Sequence, residues 1–149
     1  QRALEVIEVT GRAMSELQQE AQAEPLDYRL HKIIISPEPR SVLHQRIEQR
    51  FDQMLDEGFV EELRSLHAIP DLHADLPSMR AVGYRQGWQW LDGEYSFEQM
   101  RDRTIAATRQ LAKRQLTWLR REHNALWYDL QLDGVREEVI REVGKFLED

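Results

Sequence analysis

Seven basic residues crowd into 21 positions of an otherwise acidic chain. Arg101, Arg103, Arg109, Lys113, Arg114, Arg120 and Arg121 stand against a single acid, Asp102, a local balance of +6. Residues 1–100 carry −8 and residues 122–149 carry −5, for a net charge of −7. On a helix, Arg103, Arg109, Lys113, Arg114, Thr117, Arg120 and Arg121, with Gln110, share one arc. Ile105, Leu111, Ala112, Leu116, Trp118 and Leu119 share the other. A rigid rod with a basic arc and interleaved hydrogen-bonding groups suits a phosphodiester backbone, because each cation near a phosphate releases counterions. A solvated helix face, a calmodulin-type helix or a membrane-surface helix would carry a similar pattern. On the first reading Arg109, Lys113, Arg120 and Arg121 contact backbone phosphates.

Two further places could do chemistry. Arg50 falls on the same helix side as Leu43, Ile47 and Met54, so it needs an acceptor or must reach out to water. A buried carboxylate is one acceptor; a ligand phosphate, matched by the guanidinium fork, is the other. In Leu76-Pro77-Ser78-Met79-Arg80-Ala81-Val82-Gly83-Tyr84-Arg85-Gln86, two arginines bracket a glycine. Placed inside a helix, Gly83 costs about 1 kcal/mol against Ala, which is tolerable where a backbone or a base must come close. On that reading Gly83→Ala preserves or slightly raises stability, and N–H groups at Met79 to Ala81 are free to hold a phosphate. Helix–helix packing at Gly83 is the alternative.

The absent motifs exclude several chemistries. There is no G-x-x-x-x-G-K-[ST], no G-x-S-x-G and no H-E-x-x-H. The five histidines are scattered and no cysteine is present, so zinc ribbons, disulfides and cysteine nucleophiles are excluded. No apolar run approaches the ~18 residues of a membrane span, and the start does not read as a signal peptide; cytoplasm is the default expectation.

The elements that position these residues follow from periodicity. Residues 2–20 read as helix with a break at Gly11, and 21–27 as a loop. Residues 28–35 read as a strand whose Ile33-Ile34-Ile35 run suits a sheet covered on both faces. Residues 39–57 and 59–68 read as helices. Ser78 is placed to cap a helix from Met79 to about Leu91. Ser96 and Gln99 form a capping-box pattern opening a helix from Phe97 to Arg121. Residues 126–128 read as a strand and 134–147 as a last helix. Two short strands do not make a stable sheet alone, so the pattern is that of part of an α/β domain.

Taken together, Arg2-Ala3-Leu4-Glu5-Val6, His44-Gln45-Arg46-Ile47-Glu48-Gln49-Arg50-Phe51, Ser78 to Gln86, and Thr108-Arg109-Gln110-Leu111-Ala112-Lys113-Arg114-Gln115-Leu116-Thr117-Trp118-Leu119-Arg120 resemble the C-terminal half of the bacterial tRNA dimethylallyltransferase family. The resemblance covers nearly the whole chain, with the motifs in order. It implies a mostly helical C-terminal part of a P-loop-type α/β core (residues 28–149) preceded by the end of a helical tRNA-binding insertion (residues 1–27). It implies transfer of a dimethylallyl group from dimethylallyl diphosphate, with Mg²⁺ on the diphosphate, to N6 of the adenosine 3′ of the anticodon. The target base is flipped out to meet the donor.

The family's P-loop and general-base Asp lie in its N-terminal half. The resemblance therefore implies that Mg²⁺ is held mainly outside this chain and that the chain does not catalyse alone. Arg50 matches the family's diphosphate-binding arginine. Arg2, the segment Arg80-Ala81-Val82-Gly83-Tyr84-Arg85, and the segment Lys113-Arg114-Gln115-Leu116-Thr117-Trp118-Leu119-Arg120 match stretches that contact the tRNA anticodon stem-loop. A monomer is implied for the complete enzyme. A non-catalytic helical RNA-binding module and an adenylate-type prenyltransferase of the same superfamily stay open as alternatives.

Overall fold

The computed structural model describes residues 2–20, 27–129 and 131–148. The chain divides into two compact units, residues 1–31 and 32–149. In the first, α1 (Arg2–Thr10) and α2 (Met14–Glu20) are separated where the sequence breaks, at Gly11 with φ +70°. Arg12 ties back to α2 through a paired contact to Glu20, 2.8 Å on one side. Arg2 is exposed on α1, and neither helix buries a residue. Residues 21–26 of the expected loop lie outside the described residues.

The second unit runs β1 (Lys32–Ile35), α3 (Arg40–Asp56), α4 (Phe59–His67), α5 (Tyr84–Leu91), α6 (Phe97–Leu119), β2 (Ala125–Tyr128) and α7 (Val135–Glu148). The strands pair in parallel, Lys32 opposite Ala125 through Ile35 opposite Tyr128. Ser36 N donates to the Tyr128 carbonyl at 3.0 Å, extending the ladder, and Lys32 meets Glu122 at 2.6 Å. β1 is four residues shorter than the 28–35 expected, because β2 offers only four residues to pair with. Ile34 is buried but Ile35 is 55% exposed. The isoleucine run is therefore covered on one face, not both, among the described residues.

The core lies between α3, α4, α5 and α6. Phe51, Phe59, Leu63, Met100 and Ile105 form one buried cluster. Phe59 sits edge-on to Phe51 at 5.7 Å and to Tyr84 at 5.6 Å, a geometry that aligns ring edges with ring faces. α6 is capped as its sequence predicts: Ser96 Oγ accepts from Gln99 N, and Gln99 Oε1 accepts from Ser96 N at 3.0 Å. It supplies Met100, Thr104 and Ile105 to the core. Farther along, Leu111 and Trp118 (74% exposed) lie uncovered by the described residues, although the sequence places them on the apolar half.

The segment before α5 departs most from expectation. Ser78 does not cap a helix there; a series of turns leads to Gly83, and the helix starts at Tyr84. Gly83 has φ +95° and ψ −61°, a conformation incompatible with a helix interior. Its N–H donates to Gln86 Oε1 at 2.9 Å, fixing the start of α5. The N–H groups of Met79 and Arg80 donate to the Leu76 carbonyl, and that of Ala81 to the Ser78 carbonyl. The expected phosphate cradle at Met79 to Ala81 is thus spent on the turn.

Gly87, one turn into α5, packs directly against Leu63 of α4. A Cβ there would sit 2.2 Å from Leu63 Cδ1 and 3.2 Å from its Cγ, and Leu63 is fully buried. Gly87→Ala gains up to about 1 kcal/mol of helix propensity but overpacks this crossing, so a net loss of about 1–2 kcal/mol is expected. Thermal melting reads it directly, and surviving folded protein is expected to keep its ligand affinities.

Candidate functional site

Three segments far apart in sequence open onto one groove of about 260 Å³. From α3 come Ile47, Arg50, Phe51 and Met54; from the turn before α5, Val82 and Gly83; from α6, Thr104, Thr108 and Leu111. The walls are mainly aliphatic and aromatic, with one guanidinium. The helical stripe 47, 50, 51, 54 places Arg50 beside apolar neighbours, as its sequence position implies. Arg50 is exposed and has no carboxylate partner among the described residues, so the buried ion pair is not what explains it. Gly83 is buried in the wall, its missing side chain 3.5 Å from Phe59 and 4.0 Å from the Thr104 methyl.

Thr104 is not marked out by its sequence. It is the one buried polar side chain of the described core, and its hydroxyl donates to the Met100 thioether at 3.7 Å, a weak acceptor. Thr108 shows the ordinary helical alternative, donating to the Thr104 carbonyl at 2.8 Å. The signal available in sequence is only the spacing of four between two threonines on the buried side of α6.

The RNA-contacting residues expected in the second unit differ in exposure and in partners. Arg85, Lys113, Arg114, Arg120 and Arg121 are exposed with no ion pair among the described residues. Arg80 is exposed, 3.9 Å from Asp75. Gln115, Thr117 and Trp118 are exposed, Leu116 and Leu119 half-buried; Thr117 donates to the Lys113 carbonyl at 2.9 Å. Ala81 is exposed and Val82 half-buried. Tyr84 is held within the fold. Its hydroxyl donates to Glu62 at 2.6 Å, and that carboxylate pushes the phenol above its usual pKa.

The basic arc is broken by internal partners. Arg103 lies over the Tyr95 ring at 4.5 Å. Arg109 donates to Glu48 at 3.2 Å, so it is held to α3 and is not the free phosphate contact expected from its arc. Glu48 is shared with Arg101, which also grips Asp52 through two bonds of 2.6 and 2.7 Å. This network staples α6 to α3, and neither its partners nor its pairing was legible beyond the i, i+4 spacing of Glu48 and Asp52.

Arg101 holds the Asp52 carboxyl below its usual pKa. The folded-state pKa is depressed, so the stabilisation is present above the unfolded value of about 4 and is lost as pH falls through the folded one. Because both side chains keep substantial exposure, Asp52→Asn is expected to cost about 1 kcal/mol or less at pH 7. Urea titrations of wild type and variant at pH 7 and pH 3 are expected to show this gap closing at the lower pH.

No group of three or more His, Asp or Glu side chains among the described residues could hold a metal ion. No helix among them is long and apolar enough to cross a membrane.

The family model for IPP transferase matches residues 1–122. The chain belongs to the IPP transferase family. It is 55% identical over 141 residues to the tRNA dimethylallyltransferase of Stenotrophomonas maltophilia (strain K279a), covering 91% of this chain and 44% of the relative. It is 52% identical over 140 residues to the enzyme of that name from Coxiella burnetii (strain CbuG_Q212), covering 94% and 46%. The chain thus spans a little under half the length of these relatives.

Among solved structures, the full-length tRNA isopentenylpyrophosphate transferase of Bacillus halodurans superposes with a TM-score of 0.71 at 33% identity. The match covers 99% of this chain and 43% of that one. The Staphylococcus epidermidis tRNA delta(2)-isopentenylpyrophosphate transferase superposes at 0.65 with 28% identity. A mostly helical α/β fold with a small parallel sheet is therefore that of the IPP transferase family, as the sequence resemblance implies.

Proposed function

We propose that this chain is the C-terminal part of a cytoplasmic tRNA dimethylallyltransferase, with residues 1–27 ending a tRNA-binding insertion and residues 28–149 belonging to the α/β core. The observation that carries the reading is the convergence of Arg50 with Val82 and Gly83 on one groove, in a chain whose relatives bear that enzyme's name.

In this account the adenosine N6 attacks the allylic carbon of dimethylallyl diphosphate. The N–C bond forms, the carbon–oxygen bond to diphosphate breaks, and the N6 proton passes to a base. No residue of this chain is assigned as that base. Arg50 meets the negative charge that grows on the departing diphosphate, which a preorganised cation stabilises more in the transition state than in the ground state. The apolar walls beside it exclude water from the allylic centre. Arg2, the segment Arg80 to Arg85 and the segment Lys113 to Arg120 hold the anticodon stem-loop, with the exposed cations contacting its phosphates. Mg²⁺ bound to the diphosphate would supply further charge neutralisation. The described residues of this chain do not form a carboxylate or histidine site for it.

The complete protein is tested with dimethylallyl diphosphate and an anticodon stem-loop carrying adenosine or guanosine 3′ of the anticodon. Mass spectrometry of the nuclease digest is expected to find one added dimethylallyl group, on N6, only with adenosine. RNA binding without transfer would support a non-catalytic module instead. Transfer to free adenylate but not to the stem-loop would move the assignment to a mononucleotide prenyltransferase.

A further inference from the structure

Arg40, His44, Glu48 and Asp52 occupy successive turns of one stripe on α3, at i, i+4 spacing. Opposite them on α6 stand Lys113, Arg109 and Arg101. At one end of this seam the charges are complementary: Asp52 and Glu48 neutralise Arg101 and Arg109. At the other end they are not. Arg40, His44, Arg109 and Lys113 line a single cleft of about 140 Å³ with Leu43 and Leu116. Arg109 is already matched by Glu48, while Arg40, His44 and Lys113 have no carboxylate partner among the described residues. A neighbouring cleft of about 220 Å³ shares Arg40 and adds Arg120, with Glu38 as its acid.

Like charges facing one another across a cleft cost stability unless an anion lies between them. The cleft has room for such a group, at the scale of a few waters of ~30 Å³ each. Its donors are the kind that take phosphate oxygens: a guanidinium fork, an ammonium and an imidazole. We infer that this cationic end of the α3–α6 seam is a phosphate-binding cleft separate from the Arg50 groove, and that it takes a backbone phosphodiester of the bound RNA. Arg40 and His44 thereby extend the RNA-binding surface from α6 onto the first turns of α3. Arg109, bonded to Glu48, is a positioning residue that keeps α6 at the distance where Lys113 faces Arg40 and His44. The inference rests on the proposed RNA-binding role of α6.

The test uses the complete enzyme and a fluorescent anticodon stem-loop, titrated by anisotropy at several salt concentrations, with Arg40→Gln, His44→Gln and, as reference, Arg120→Gln. Arg40→Gln is expected to weaken RNA binding about three- to tenfold and to lower the log K against log [salt] slope by roughly 0.7–0.9. Its melting temperature without RNA is expected to equal or exceed wild type, since a repulsive charge is gone. KM for dimethylallyl diphosphate is expected to stay unchanged.

Wild-type affinity and slope in both α3 variants, with Arg120→Gln weakened, would overturn the cleft while leaving RNA binding by α6 intact. Wild-type behaviour of all three would instead sink the RNA-binding reading of α6 itself. A raised KM for the donor with unchanged RNA affinity would overturn the assignment to RNA, because the cleft would then hold the donor's diphosphate.

Discussion

In the complete enzyme, Arg50→Ala is expected to lower kcat roughly 100- to 1,000-fold while RNA affinity stays within about twofold of wild type. Loss of one charge-assisted donor aimed at developing negative charge costs about 3 kcal/mol in the transition state. Arg50 makes no ion pair among the described residues and is exposed, so its removal leaves no orphaned carboxylate and is expected to change stability by about 0.5 kcal/mol or less. Arg50→Lys keeps a charge but loses the fork, and is expected to recover only part of the rate. Single-turnover transfer assays with saturating RNA, paired with RNA titrations, separate the two readouts. A variant with wild-type turnover and tenfold weaker RNA binding would move Arg50 out of the donor site and into the RNA interface.

Gly83→Ala is expected to lower both stability and transfer. Ala at φ +95° and ψ −61° is strained whatever the surrounding space, at a cost of about 1–3 kcal/mol. The space itself is adequate: the added methyl would meet Phe59 at 3.5 Å and Thr104 at 4.0 Å, ordinary contacts. The damage therefore comes from the backbone. Relief of the strain shifts Val82 and the start of α5, and with them one wall of the Arg50 groove. A drop in melting temperature together with slower single-turnover transfer is expected. Unchanged stability would restore the reading of Gly83 as an ordinary helical glycine.

That reversal shows where the sequence was legible and where it was not. Helical periodicity located α3, α4, α6 and α7 to within a residue or two, and the Ser96–Gln99 box fixed the start of α6, because each is a local rule acting on a long segment. The stretch 78–83 obeyed no such rule. Its residues tolerate helix, but Gly83 adopts φ +95° with its N–H bonded to Gln86 Oε1, so the helix begins five residues later than its apolar pattern suggests.

Arg50 was legible because an arginine on an apolar stripe is a local conflict needing explanation. Glu48, Asp52, Arg101 and Arg109 were not, because their pairing depends on how α3 crosses α6. Counting cations along one helix overstates the surface free for RNA, since Arg103 and Arg109 are committed within the fold. The exposed Ile35, Leu126 and Trp118 follow equally from tertiary context: their apolar character favours burial, and the described residues do not cover them.

In the proposed mechanism the Arg50 groove receives the donor's diphosphate. Calorimetry of inorganic diphosphate binding to the complete enzyme, wild type against Arg50→Ala and with RNA absent, reads this contact alone. An affinity loss of at least about tenfold, 1.4 kcal/mol, is expected in the variant. Equal affinity in the two proteins would contradict it.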